Sequence, residues 1–193
     1  FTRFKWNVAY QFFEESRGSR DFGDSYLNTQ TETVDAFSVN LDFDKGLSSK
    51  TDLFYGVEGL LNNVGSKATE ENILSFDKTA AGTRYPDGST WSSAAAYATV
   101  KHKFEERFIL DAGVRYSYVS SNATIDTTYY KLPYTDIKNN SGAATGMVGL
   151  SYNYSAGSRI YTHLSTGFRA PNIDDMAKVF DPEPNTVIVP NPD

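Results

Sequence analysis

Apolar and polar side chains alternate with a period of two along most of this sequence. Between Phe4 and Phe12 every even position is apolar or aromatic, and the odd positions are mostly polar. Because side chains of a β-strand point alternately to its two faces, this pattern predicts strands with one apolar face. The runs that carry it cover residues 4–12, 37–43, 52–61, 94–101, 108–118, 144–154 and 160–168. Most of them approach the ~9 to 11 residues with which a tilted strand crosses a bilayer.

Short and long connections alternate between these runs. The short ones lie near residues 44–50, 105–106 and 155–158, and the long polar ones near 16–31, 63–91, 120–141 and 170–193. Long connections without structure are uncommon in compact soluble domains. The alternation therefore predicts an up-and-down sheet with one tight rim and one elaborate rim, the asymmetry of outer-membrane barrels.

Aromatic side chains are concentrated at both ends of the predicted strands. Near the short turns are Phe4, Trp6, Phe43, Phe104, Phe108, Tyr152 and Tyr154, and towards the long connections are Phe12, Tyr116, Tyr118 and Phe168. Two such groups predict the aromatic girdles of a membrane barrel. A soluble β-sandwich is the alternative, although its strands are commonly shorter. The favoured fold class is all-β, an antiparallel up-and-down transmembrane β-barrel segment of about seven strands that is incomplete, since barrels of this kind have an even number.

Composition removes several classes of function. The sequence has no cysteine, which excludes disulfides, thiolate metal sites and a cysteine nucleophile. Its net charge of −6, without a Lys/Arg cluster, argues against a nucleic-acid partner. No apolar run approaches the ~18 to 20 residues of a membrane helix. The 15% aromatic content on a background of only 39% hydrophobic residues fits strands with one apolar face.

Two segments late in the chain carry a family resemblance. Residues 161–172 read Tyr-Thr-His-Leu-Ser-Thr-Gly-Phe-Arg-Ala-Pro-Asn, and residues 189–193 read Val-Pro-Asn-Pro-Asp. This pair resembles the Ser-x-Gly-Phe-Arg-Ala-Pro and Asn-Pro-x-Leu motifs found late in TonB-dependent outer-membrane receptors. Residues 113–116, Gly-Val-Arg-Tyr, are similar to a Gly-Leu-Arg-Tyr segment in a strand of the same barrels.

The resemblance implies a many-stranded barrel around a separate plug, placed in the bacterial outer membrane. We therefore expect residues 1–193 to be a partial barrel domain, with the plug and the final strands outside it. The implied function is active uptake of a scarce nutrient, most readily an iron chelate such as a siderophore or haem, without enzymatic activity and without a cofactor. Haem is the weaker choice, because no histidine lies between Phe168 and Asp193. The expected partners are the inner-membrane TonB complex through the plug, an extracellular small-molecule cargo and outer-membrane lipid.

Aromatic and basic side chains in the long connections are the candidates for cargo binding, because rings stack on a chelate or sugar and cations pair with an anionic one. These candidates are Arg84, Tyr85, Trp91, Tyr129, Tyr130, Lys131 and Tyr134. Arg115, His163 and Arg169 are expected on the lumen face, where they would order contacts with the plug or with neighbouring strands.

Two other functions remain open from the sequence. One is a passive porin or an adhesin barrel, which would have no plug before it. The other is an outer-membrane hydrolase, for which His163 could pair with Ser165 or Ser151 on the lumen face. The two histidines, His102 and His163, have no metal-ligand spacing, so no metal site is predicted.

Overall fold

Antiparallel strands that pair in chain order build almost all of this protein. The computed structural model describes residues 2–129, 131–132, 135–178, 180–183 and 186–188. The elements are β1 (Arg3–Ser19), β2 (Tyr26–Ser48), β3 (Thr51–Asn72), β4 (Lys78–Ala80), β5 (Ser89–Phe104), β6 (Phe108–Thr124), β7 (Asp136–Ser155), β8 (Ser158–Ser165), α1 (Ile173–Ala177), β9 (Phe180–Glu183) and β10 (Thr186–Ile188). Among the described residues no helix is long and apolar enough to cross a membrane.

The main sheet has the order β1-β2-β3-β5-β6-β7-β8, and the short β4 pairs with β3. It curls into an antiparallel half-barrel of seven strands, which confirms the predicted fold class. Residues 49–50, 105–107 and 156–157 connect strands at one rim, and residues 20–25, 73–88 and 125–135 connect them at the other. The alternation of tight and elaborate connections is therefore confirmed. We call the second of these the long-loop rim.

The two faces of the sheet differ in chemistry. Lys5, Asp42, Gly56, Tyr97 and Arg115 are successive cross-strand partners, so they share the concave face. The convex face carries large exposed apolar side chains, including Trp6, Val8, Val57, Val114, Val148 and Leu164. A contiguous apolar surface of this extent marks a contact with another apolar phase. Here that phase is the hydrocarbon of a bilayer, because the apolar residues alternate with polar ones that face the lumen.

Aromatic girdles border the apolar band on the convex face. Near the short turns, Phe4 stacks on Phe43 with ring centroids 4.9 Å apart, and Phe43 stacks on Tyr55 at 5.1 Å. Near the long-loop rim, the hydroxyl of Tyr10 donates to Asp35 Oδ1 at 2.5 Å. A carboxylate on the convex face is disfavoured in hydrocarbon. Asp35 therefore marks the edge of the band.

The strands extend further than the alternation predicts. β2 begins at Tyr26 and β3 ends at Asn72, well inside segments predicted to be long loops. The physical reason is that an apolar face is needed only where a strand meets hydrocarbon. Beyond the band both faces are wet, so the alternation disappears although the hydrogen-bonded ladder continues. The opposite error occurs at β8, which ends at Ser165, so the predicted strand over residues 160–168 is too long at its C-terminal end.

Candidate functional site

A segment folds back into the half-barrel at the long-loop rim. After β8, residues 167–178, here called the folded-back segment, leave the sheet and form the short helix α1. Three α1 residues enter a buried cluster with side chains from the concave face. The buried members of this rim core are Ala123, Ile125, Ile137, Ile173, Met176 and Ala177, with Val64, Tyr85, Trp91 and Leu132 packed against them. The lumen is thus partly covered from within at this rim.

Local sequence explains why the folded-back segment becomes helical. Pro171 cannot donate to a strand ladder, and Asn172 behind it caps α1. The Asn172 side chain accepts from the Asp175 amide at 2.9 Å, and the Asp175 carboxylate accepts from the Asn172 amide at 3.1 Å. Arg169 donates to both oxygens of Asp175 at 2.7 Å. The motif residues Arg169 and Asn172 therefore hold the first turn of α1.

Two side chains of the wall hold the folded-back segment. The Tyr85 hydroxyl donates to Asp174 Oδ1 at 2.6 Å, and Trp91 Nε1 donates to the Pro171 carbonyl at 3.4 Å. Lys178 Nζ lies 3.3 Å from Asp174 Oδ1. The hydrogen bond from Tyr85, together with the nearby Lys178, holds the pKa of Asp174 below its ordinary value. Burial, together with the hydrogen bond to Asp174, raises the pKa of Tyr85.

We expect this docking to weaken in acid. A carboxyl whose folded pKa is depressed stabilises the fold only when it is ionised, so the contribution of Asp174 is complete above its ordinary pKa of 3.8 and is lost as the pH falls through the folded value. Hydrogen exchange of residues 172–178 in the full-length protein, corrected for intrinsic rates, should show protection falling below that pH. Asp174→Asn should reduce this dependence. An identical pH profile in both proteins would contradict the assignment.

A cavity of about 700 Å³ opens between the folded-back segment and the wall. Its wall residues come from the concave faces of β1, β2, β3 and β5, and its cover comes from Asn172, Ile173 and Asp174. Tyr85 and Trp91 line it as well. This size and mixed lining are typical of small-molecule sites.

A second polar group lies on the concave face closer to the short turns. The Arg115 guanidinium pairs with Glu58 and donates from Nε to Ser117 Oγ at 2.9 Å, with its Cζ 5.8 Å from the Tyr97 ring centroid. The Tyr97 hydroxyl donates to Asp42. A Cβ on Gly56 would meet the Tyr97 hydroxyl at 2.6 Å, so glycine leaves room for this ring to cross the sheet. Arg115 thus lies on the concave face, where it is engaged with side chains of its own strand and of nearby strands.

The structure brings some predicted cargo residues together and separates others. Tyr85 and Trp91 line one cavity. Arg84 stacks over the Tyr85 ring, with its Cζ 5.4 Å from the centroid, and is half-buried. Tyr129 and Lys131 are exposed in the connection from β6 to β7. Tyr130 and Tyr134 lie outside the described residues, as does the second motif at 189–193.

The remaining lumen candidates lie near β8. His163 is exposed on the concave face opposite Gly149, with Ser165 two positions further along the strand. Arg169 lies beyond the strand, where it pairs with Asp175, and its side chain is 80% exposed. Within the part of the chain that the structure describes, no three His, Asp or Glu side chains are grouped so that they could hold a metal ion.

Sequence reasoning missed the most buried charge of the cavity. Glu32 is only 9% exposed, and it lies directly opposite Glu15 in the pairing of β1 with β2. Nothing in the sequence marks this residue, because it lies between the predicted long connection at 16–31 and the predicted strand at 37–43. Only the strand register places it in the cavity.

Comparison with known proteins gives one family and two similar folds. The family model described as "TonB dependent receptor-like, beta-barrel" matches residues 1–193. The copper transporter OprC aligns with a TM-score of 0.76 at 14% identity, covering 90% of this chain and 28% of that one. A mutant of the Serratia marcescens hemophore receptor HasR, in complex with its hemophore HasA and heme, aligns with a TM-score of 0.65 at 14% identity, covering 97% and 31%. The chain therefore spans about a third or less of either structure, and no curated protein matches it.

Proposed function

Because this chain belongs to the TonB-dependent receptor family, through a β-barrel match over residues 1–193, we propose that it lines the path by which a scarce nutrient is actively imported across the bacterial outer membrane. Its convex apolar face contacts lipid, and its concave polar face borders the lumen. Energy comes from the inner-membrane TonB complex through a plug that this chain does not include. Transport without catalysis is part of the proposal, since the family and both structural neighbours are described as receptors or transporters.

The observation that carries this proposal is the cavity of about 700 Å³ at the long-loop rim. It lies on the lumen face beyond the apolar band, where a solute arriving from outside meets the barrel first. The residues proposed to contact cargo are Tyr85 and Trp91 at the cavity, with Arg84, Tyr129 and Lys131 on nearby connections. Arg115, His163 and Arg169 are proposed to order the wall and its contacts with the plug.

The proposed cargo is an iron chelate, with siderophores ahead of haem. One structural neighbour is a copper transporter and the other is a complex with a hemophore and heme, so both handle metal-linked cargo. No histidine lies between Phe168 and Asp193, so this stretch offers no imidazole ligand to haem.

Uptake in cells tests the proposal. The full-length protein is expressed in a strain that lacks its own ferric receptors, and entry of radiolabelled iron is measured from a panel of ferric siderophores and haem. We expect at least one ferric chelate to enter, and entry to stop when TonB is deleted. A copper salt is included as a further arm. Entry at the same rate without TonB would identify a passive pore and overturn active transport.

A further inference from the structure

The cavity at the long-loop rim contains a carboxylate whose charge is not compensated by hydrogen bonding. Glu32 is 9% exposed, and among the described residues neither of its carboxylate oxygens has a hydrogen-bond partner. Burial without a hydrogen bond makes the ionised form costly, so it raises the pKa of Glu32. A cation placed beside this carboxyl, from another part of the protein or from a ligand, would favour its ionised form.

Strand register increases this electrostatic cost. Glu15 lies directly opposite Glu32 on the same face, and like charges in that position destabilise a sheet. Arg17 is the nearby cation, and its Nε donates to Glu15 Oε1 at 2.6 Å. The guanidinium is therefore committed to Glu15, and Glu32 feels it only at longer range. Among the described residues the cavity is lined by the acids Glu14, Glu15, Glu32 and Asp174 and by the cation Arg17, so its lining carries a net negative charge.

The rest of the cavity lining is mixed, with apolar and aromatic surface beside the polar side chains of Asn62, Asn172 and Asp174. Phe13, Val34 and Leu60 line it from the strands, while Tyr85 and Trp91 supply aromatic surface. Aromatic faces attract cations as well as planar apolar groups. The combination fits a molecule that has a positive group attached to an apolar or planar body.

The position of Glu32 favours an occupant from outside the cell. Asp35 marks the edge of the apolar band, and Glu32 lies three residues further towards the long-loop rim, about 10 Å along the strand. A bare metal ion is a poorer fit, because no metal-binding group of three acids or histidines occurs among the residues described. An organic cation needs one buried carboxylate and an apolar wall, and both are present.

We propose that this cavity is a binding subsite for an organic cation, in which Glu32 receives the positive group and Trp91 and Tyr85 hold the body. The subsite rests on the proposed import function for the origin of its ligand, and it specifies the charge of that ligand. An imported chelate would present an ammonium or other cationic group to this rim. The basic side chains Arg84 and Lys131 do not line the cavity, so they leave its negative charge in place.

A matched pair of probes tests the subsite. Naphthylmethylammonium and naphthylacetate share an aromatic body and differ in charge, and their binding is measured by titration with the full-length receptor in lipid nanodiscs. We expect the cation to bind at least about tenfold more tightly than the anion. Glu32→Gln keeps the shape of the side chain and should weaken binding of the cation roughly 10- to 100-fold. Asp35→Asn is the control, because its carboxylate is on the same strand but on the convex face, and it should leave binding unchanged.

Three results would overturn the subsite: equal affinity for both probes, no effect of Glu32→Gln, or equal losses in Glu32→Gln and Asp35→Asn. A drop in heat resistance in Glu32→Gln with unchanged cation binding would also overturn it, because Glu32 would then pair with another part of the barrel or with the plug. The outcome is separate from that of the uptake experiment. Charge-selective binding without TonB-dependent entry would support the subsite and contradict the import function. TonB-dependent entry without charge-selective binding would support the import function and contradict the subsite.

Discussion

Val114→Arg is expected to prevent most of the protein from assembling in the outer membrane. Val114 lies midway along the apolar stretch of β6 on the convex face, and 68% of it is exposed. A charged side chain there must enter hydrocarbon, which costs about 2 to 4 kcal/mol at the midplane of a barrel. Assembly is measured as the fraction of full-length protein that shows heat-modifiable electrophoretic mobility in outer-membrane preparations.

Asn40→Arg is the matched control for this variant. Asn40 lies on the concave face of β2, directly opposite Glu58, which pairs with Arg115. The new guanidinium would face the lumen instead of hydrocarbon, so we expect assembly close to that of the parent protein. Equal loss in both variants would contradict the assignment of the two faces.

Shortening the connection from β6 to β7 is expected to abolish binding of the natural cargo. The amide of Ile125 donates to the Thr135 carbonyl at 2.8 Å, so this pair can close a hairpin. Replacing residues 126–134 with Asn-Gly keeps that pair and supplies a two-residue turn suited to strand twist. The change removes Tyr129, Tyr130, Lys131 and Tyr134, together with Leu132 of the rim core.

Barrel assembly should survive this deletion, because the connection contributes little to the strand ladder. Cargo binding to the full receptor is measured by titration with whichever ferric chelate supports uptake, and heat resistance is measured in parallel. Tyr129→Ala with Lys131→Ala is the milder companion variant, which separates the loss of these side chains from the loss of the whole connection. Unchanged affinity after the deletion would mean that this connection only shields the pore.

The alternation of side chains was sufficient to predict the membrane-facing part of the fold. Phe4, Phe43 and Tyr55 were predicted in strands with one apolar face, and the structure places them side by side in a girdle. The order of connections predicted which strands neighbour one another. Both predictions succeeded because strand alternation and contact with hydrocarbon are local requirements, which each strand meets within its own sequence.

The parts of the strands beyond the apolar band were not predicted, because no alternation of apolar and polar residues marks them in the sequence. Residues 28–33 of β2 are polar on both faces, and they join the sheet because β1 and β3 offer ladder partners on either side. Beyond the apolar band, pairing with the neighbouring strands therefore determines where a strand begins and ends.

The candidate site was likewise predicted only in part from the sequence. Sequence marked Tyr85 and Trp91 as cargo residues and Arg169 as part of a motif. Tertiary structure decided that the folded-back segment turns into the lumen, and that Arg169 holds Asp175 instead of facing the lumen from a strand. It also decided that Glu32 lies opposite Glu15 within the cavity. The side-chain pattern of a strand determines what each face contacts, whereas register between strands distant in sequence determines which charges meet.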